Sequence, residues 1–182
     1  MSRKYIIFII STILFTVADQ LTKIWVTENI RYRVDEIEII PGFLSFVHAQ
    51  NKGAAFGIME GQMIVFAVFT LVALGVLGQM LWQLEKDDRF QSLALGLIAS
   101  GAIGNGIDRA LKQSVTDFIR VYTDHAGISS FLRENLGTAE WPSFNIADAA
   151  IVMGLLMFLF HFMFLEKDAD ELEPDPPSKA LE

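Results

Sequence analysis

Four aspartates, Asp19, Asp108, Asp117 and Asp148, lie in or beside the most apolar stretches of this 182-residue sequence. Near hydrocarbon an unpaired charge is strongly unfavourable, so each needs a partner or a purpose. Other polar residues keep them company at helical spacing. Lys23 is one turn after Asp19, Asn105 and Arg109 flank Asp108, and Asn145 precedes Asp148 by three. The chain contains no cysteine, which removes thiol nucleophiles, disulfides and thiolate metal sites. Its histidines, His48, His125 and His161, stand far apart without an H-x-x-x-H or H-E-x-x-H pattern, so no zinc site is expected. No G-x-S-x-G nucleophile motif is present. Carboxylate acid–base chemistry is what remains. Two aspartates sharing a site cannot both ionise easily, so one holds a proton and acts as acid while the other acts as base. Such a pair activates water without a metal or a covalent intermediate.

Most of these residues also have a structural reading. Asp19 and Lys23 fit an ion pair between helices, Asp108 and Arg109 the end of a span, and Asn145 with Asp148 a helix cap. Asp117 fits none of these. On the predicted strand 114–122, SVTDFIRVY, it alternates with Val115, Ile119 and Val121 on the apolar side, where packing alone would favour Val or Ile. Asp148, at a helix N-terminus, is the expected anionic member of any pair with Asp117.

The elements that must position these residues follow from composition. Hydrophobic residues make up 52% of the chain and charged ones 20%, which is too apolar for an ordinary soluble domain. The net charge of −8 argues against a nucleic-acid partner. Four runs are long enough to cross a bilayer, at about 5–26, 62–84, 91–109 and 146–165. The first resembles a secretory signal in its Arg3–Lys4 start, but three further spans favour an uncleaved helix. Lys86 and Arg89 in the short second connection, with Arg3 and Lys4, put both termini on the cytoplasmic side. The loops 27–61 and 110–145 then lie outside. They carry a predicted hairpin at 34–47 around Pro41–Gly42, the strand at 114–122, and a predicted helix at 129–137 with a serine cap and Gly137 at its end. The expected fold is therefore a mainly α membrane protein: four transmembrane helices with a small extracytoplasmic β-rich platform between helices 1 and 2 and after helix 3. Residues 1–165 read as the membrane domain. Residues 166–182 hold seven acids and two lysines and read as a disordered cytoplasmic tail. In this topology every intramembrane carboxylate collects at the outer boundary. Gly96, Ser100 and Gly104, small residues at every fourth position, predict close helix packing beneath it.

Five segments carry a resemblance: ADQLTK (18–23), NKGAAFG (51–57), GAIGNGIDR (101–109), VTDFI (115–119) and FNIAD (144–148). Together and in this order they resemble the motif blocks of the lipoprotein signal peptidases, the signal peptidase II family. The resemblance implies a bacterial inner-membrane aspartyl endopeptidase without a cofactor. It implies cleavage of prolipoproteins just before a diacylglyceryl-modified cysteine, with Asp117 and Asp148 as the catalytic dyad. Asp19, Lys23, Asn51, Gly53, Asn105, Asp108, Arg109 and Asn145 match the polar residues around the site. As supports, Asp108 is expected to hold Arg109 and Asp19 to hold Lys23, with Arg109 and Asn51 offering donors to the substrate. Membrane lipids are the other expected partners, and the chain is read as a monomer. The segment 120–143 is longer than the family pattern, and the acidic tail is not part of it.

Three rivals are weighed against this. A proton-coupled carrier would spread polar residues through the membrane depth, whereas the inner halves of these spans are nearly free of charge. A metal-dependent phosphatase would want a basic cradle, and only Arg109 and Lys112 are near. A structural adaptor leaves Asp117 unexplained.

Overall fold

The computed structural model describes residues 2–53 and 62–165. Gly57 and the acidic tail 166–182 lie outside the described residues. Among those described, four helices are long and apolar enough to cross a membrane. They are α1 (Arg3–Asn29), α2 (Met63–Gln83), α3 (Arg89–Lys112) and α5 (Ile146–Phe160), the last continued by one π-helical turn at His161–Leu165. Three strands, β1 (Glu36–Ile40), β2 (Leu44–Asn51) and β3 (Val115–Val121), form an antiparallel sheet in the order β1-β2-β3. A short helix, α4 (Ala126–Leu136), follows β3.

The predicted hairpin forms, with Gly42 in the left-handed region at φ +72 as its turn requires. Its strands start at Glu36, inside the predicted boundary, and run past the predicted end to Asn51. The helix expected at 129–137 begins earlier, at Ala126, and its N-cap is His125 without a side-chain bond, so the predicted serine cap is wrong. Gly137 does end it, at φ +76.

Helix α3 is the centre of the bundle. It has the lowest mean hydropathy of the four spans and is the most buried. Both follow from its place, because a helix wrapped by protein need not match lipid. The small residues allow this. A methyl group on Gly96 would collide with Ser11 Oγ of α1, and one on Gly101 would collide with the backbone oxygen of Ala147. By contrast α2 fully buries Leu77 and Leu81, packs Leu74 and Met80 partly against the same core, and leaves Ile64, Val68, Phe69, Leu71, Val72 and Val76 exposed. Lys4 is buried and donates to the carbonyls of Trp82 and Leu84, which closes α1 against the end of α2. At the other end Val26, Ile30 and Phe118 form a cluster with Phe46 and Ile146, which seats the sheet on α1 and α5.

Candidate active site

The polar residues meet where α1, α3, β3 and α5 converge, at the sheet end of the bundle. Lys23 has no exposed surface, and its Nζ lies 2.9 Å from Asp19, 3.4 Å from Asp108 and 3.0 Å from Asn105 Oδ1. Three acceptors suit the three protons of an ammonium group, so the buried cation is fully satisfied. Asp19 also accepts the backbone N–H of Ala147 at 2.9 Å. It therefore helps hold the first turn of α5.

That turn carries a complete capping box. Asn145 Oδ1 accepts the N–H of Asp148 at 2.9 Å, and Asp148 accepts the N–H of Asn145 at 3.2 Å. The cap does more than end a helix. Asn145 Nδ2 donates to Asp117 at 2.7 Å, and Asn105 Nδ2 donates to the second oxygen of Asp148 at 2.7 Å. Asn105 can only be oriented this way, because its Oδ1 already accepts from Lys23 and from Asn145. The chain of bonds from Lys23 through Asn105 to Asp148 thus fixes which end of the amide faces the carboxylate. Both aspartates are tied to one pair of asparagines.

Asp117 is 4% exposed. Burial, and then the neighbouring Asp148, push its carboxyl up to about 7, against the hydrogen bonds from Asn145 and Asn51 and the charge of Lys23. Its surroundings differ from the expected apolar strand face. The first half of β3 is buried on both sides, including Thr116 and Phe118, and the Asp117 side is lined by amides. The alternation in sequence identified the odd residue but not its environment.

Other expected positions sort clearly. Asn51 ends β2, opposite Val115, and its Oδ1 accepts the N–H of Gly53 at 3.0 Å. The Gly53 carbonyl accepts from Arg109 at 3.4 Å. Arg109 lies over the Phe66 ring of α2 at 4.4 Å, a cation–π contact. The expected pairing of Asp108 with Arg109 is not found. Asp108 instead holds Lys23, Lys112 at 3.1 Å and the backbone N–H of Thr116 at 2.9 Å. Adjacent helical residues point about 100° apart, so one side chain faces the bundle core and the other faces α2. Sequence reasoning missed Gln20, which bridges Asp19 and the carbonyl of Gly104. It also missed Thr116, whose backbone N–H and carbonyl meet Asp108 and Asn145. Gln20 stood inside the first motif block; the Thr116 contacts are backbone and leave no side-chain signal.

Two apolar grooves reach this cluster from the sides. One, of about 600 Å³, runs between α2 and α3 from Leu71 to Arg109. The other, of about 400 Å³, runs along α5 from Leu156 to Asp148 beneath Trp141.

Known proteins share both sequence and fold with this chain. The family model described as signal peptidase (SPase) II matches residues 11–164. The chain belongs to the signal peptidase II family. It is thus a membrane peptidase by kinship, with several spans. The lipoprotein signal peptidase of Maridesulfovibrio salexigens is 40% identical over 164 residues, covering 87% of this chain and 96% of that one. The one from Listeria welshimeri serovar 6b is 36% identical over 143 residues, covering 79% and 84%. Two solved structures of bacterial membrane enzymes superpose with TM-scores of 0.73 and 0.71, at 29% and 30% identity. They cover 96% and 86% of this chain, and 94% and 92% of theirs.

Proposed function

We propose that the chain removes signal peptides from prolipoproteins by aspartyl catalysis, cutting just before a diacylglyceryl-modified cysteine, with Asp117 and Asp148 as the dyad. The observation that carries this reading is the shared amide pair: Asn145 donates to Asp117 and Asn105 to Asp148, so two carboxyl groups act as one unit. In the resting pair Asp117 holds the proton, in keeping with its raised pKa, and Asp148 offers both oxygens as acceptors. Asp148 takes a proton from water as the water oxygen bonds to the scissile carbonyl carbon. Asp117 gives its proton to the developing oxyanion. The tetrahedral intermediate then collapses: one of its hydroxyls returns a proton to Asp117 as the C–N bond breaks, and the leaving amine takes a proton from Asp148. The products are a signal peptide with a new carboxylate and a mature chain with a free amine on its lipidated cysteine. Arg109 and Asn51 supply donors at the substrate side, and the buried Lys23, Asp19 and Asp108 hold Asn105 and α5 in place.

The grooves support the lipid preference, since the one along α5 joins the lipid-facing surface of the spans to Asp148 and the one between α2 and α3 leads to Arg109. The sheet end is assigned to the outer face of the inner membrane, with both termini cytoplasmic. The deciding experiment is cleavage of a diacylglyceryl-modified prolipoprotein peptide by the purified protein in detergent with EDTA. Activity is expected to survive EDTA and to fall about 10²–10⁴-fold in Asp117→Asn and in Asp148→Asn. Loss with EDTA, or full activity in Asp117→Asn, overturns the aspartyl mechanism. Equal turnover of an unlipidated peptide overturns the lipid preference.

A further inference from the structure

The stretch between Asp117 and Asp148 contains α4, and α4 is turned the wrong way for water. Its apolar residues Ile128, Phe131, Leu132 and Leu136 share one side at i, i+3, i+4 and i+8, with Ser130, Arg133 and Glu134 on the other. A helix on a soluble domain would press the apolar side onto the protein. Here Arg133 lines a polar recess against the sheet with Arg120, Tyr122 and Asp124. Ile128, Phe131 and Leu136 point away and are 52%, 63% and 70% exposed. No residue of α4 is buried. Eleven residues make a marginal helix on their own, and its stability normally comes from packing the apolar side.

The position of the next residues says what covers that side. Trp141, 69% exposed, follows α4 by five residues, and its backbone is held by the main-chain N–H donating to the Val121 carbonyl at 2.9 Å. It lines the apolar groove with Val152, Met153 and Leu156, which are the outward flank of the spanning helix α5 and so face lipid. Trp141 thus brings the segment that carries α4 to the membrane-facing flank of the bundle, with the exposed apolar side of α4 beginning five residues upstream. The charges of α4 cancel, Arg133 against Glu134, which suits a neutral lipid surface better than a strongly charged protein partner.

We infer that α4 and Trp141 form an interfacial anchor. The helix lies in the plane of the leaflet at the sheet end, with Ile128, Phe131 and Leu136 at the acyl boundary and Trp141 at headgroup level. It sets the height of the segment that leads into Asn145 and Asp148. This inference needs only the membrane spans and stands apart from the aspartyl reading.

The absence of cysteine makes the test direct. Phe131→Cys and Glu134→Cys are each labelled with bimane and the full chain is placed in phosphatidylcholine nanodiscs. Quenching is read with a nitroxide on the lipid acyl chain and with aqueous iodide. The label at 131 is expected to be quenched several-fold more by the lipid nitroxide than the label at 134, with the reverse order for iodide. Equal access of both labels to iodide overturns the anchor. So does protection at 131 that appears only with two copies per disc, which would make a second chain the cover. Adding Ile128→Ser and Leu136→Ser to the 131-labelled chain is expected to reduce lipid quenching at least two-fold at an unchanged melting temperature in detergent. Undiminished lipid quenching in that variant would also overturn the anchor.

Discussion

Lys23 holds two fully buried carboxylates and the oxygen of Asn105 at once. Its removal leaves charge behind, which is worse than never having buried the pair. Lys23→Met is expected to destabilise by about 3–5 kcal/mol, read as a lower melting temperature in detergent. Asp19→Asn added to it is expected to restore part of that loss, because it deletes one of the stranded charges. Asp117 carries a different kind of strain. Its folded pKa of about 7 lies above the usual carboxylate range, so the folded chain keeps a proton that the unfolded chain has released. Stability contributed by that proton is complete below about pH 4 and is lost as pH rises through 7. Asp117→Asn is therefore expected to melt with the wild type at pH 4 and above it at pH 8, while losing activity. If Asp117 is the acid, wild-type turnover falls as pH climbs through about 7; a profile flat from pH 6 to 8 would remove the proton from that role.

Between elements, the site depends on how closely α3 approaches α5. The contact is backbone against helix at both ends: Gly101 faces the carbonyl of Ala147, and a methyl on Gly154 would stand 2.6 Å from the carbonyl of Ala94. A backbone atom cannot rotate aside as a side chain can, so Gly101→Ala must push the helices apart. The bond from Asn105 to Asp148 spans that gap. Gly101→Ala is expected to lose about 1–3 kcal/mol from overpacking and, by shifting the carboxylate on the scale of 1 Å, to reduce turnover by up to about 10²-fold. Gly78, with nothing within 4 Å of a methyl group, is the control. Gly78→Ala should leave both melting and turnover close to wild type.

At the scale of the whole molecule, the spans alternate in direction, and the polar cluster, the sheet and α4 share one end. The opposite end is closed by Lys4 on the carbonyls of Trp82 and Leu84. One of the four cations that suggest the orientation is therefore also a structural cap, leaving Arg3, Lys86 and Arg89 as free topological signals. Single cysteines in intact cells separate the two orientations. A thiol at position 134 is expected to react with a membrane-impermeant maleimide from outside, and one at position 86 only after permeabilisation. The opposite pattern would put the site on the cytoplasmic side and contradict the assignment to the outer face.

The spans, their order and the gathering of carboxylates near one boundary are legible in the sequence, because lipid imposes composition and length on any helix that crosses it. The motif blocks carry the family, and the residues NIAD by themselves specify the cap of α5, since a capping box is built from neighbours in the chain. The partners are not legible. Helical spacing tells which residues share a face but not which helix that face meets, so it suggests Arg109 for Asp108, which in fact joins Lys23, Lys112 and Thr116. Strand alternation marks Asp117 as out of place, yet the amides of Asn145 and Asn51, brought from distant parts of the chain, define its surroundings. The bond from Asp19 to the N–H of Ala147 spans 128 residues and ends on backbone, which has no signature in residue type. Local chemistry is written along the chain, and the meeting of distant donors and acceptors belongs to the packing of α3 between α1 and α5.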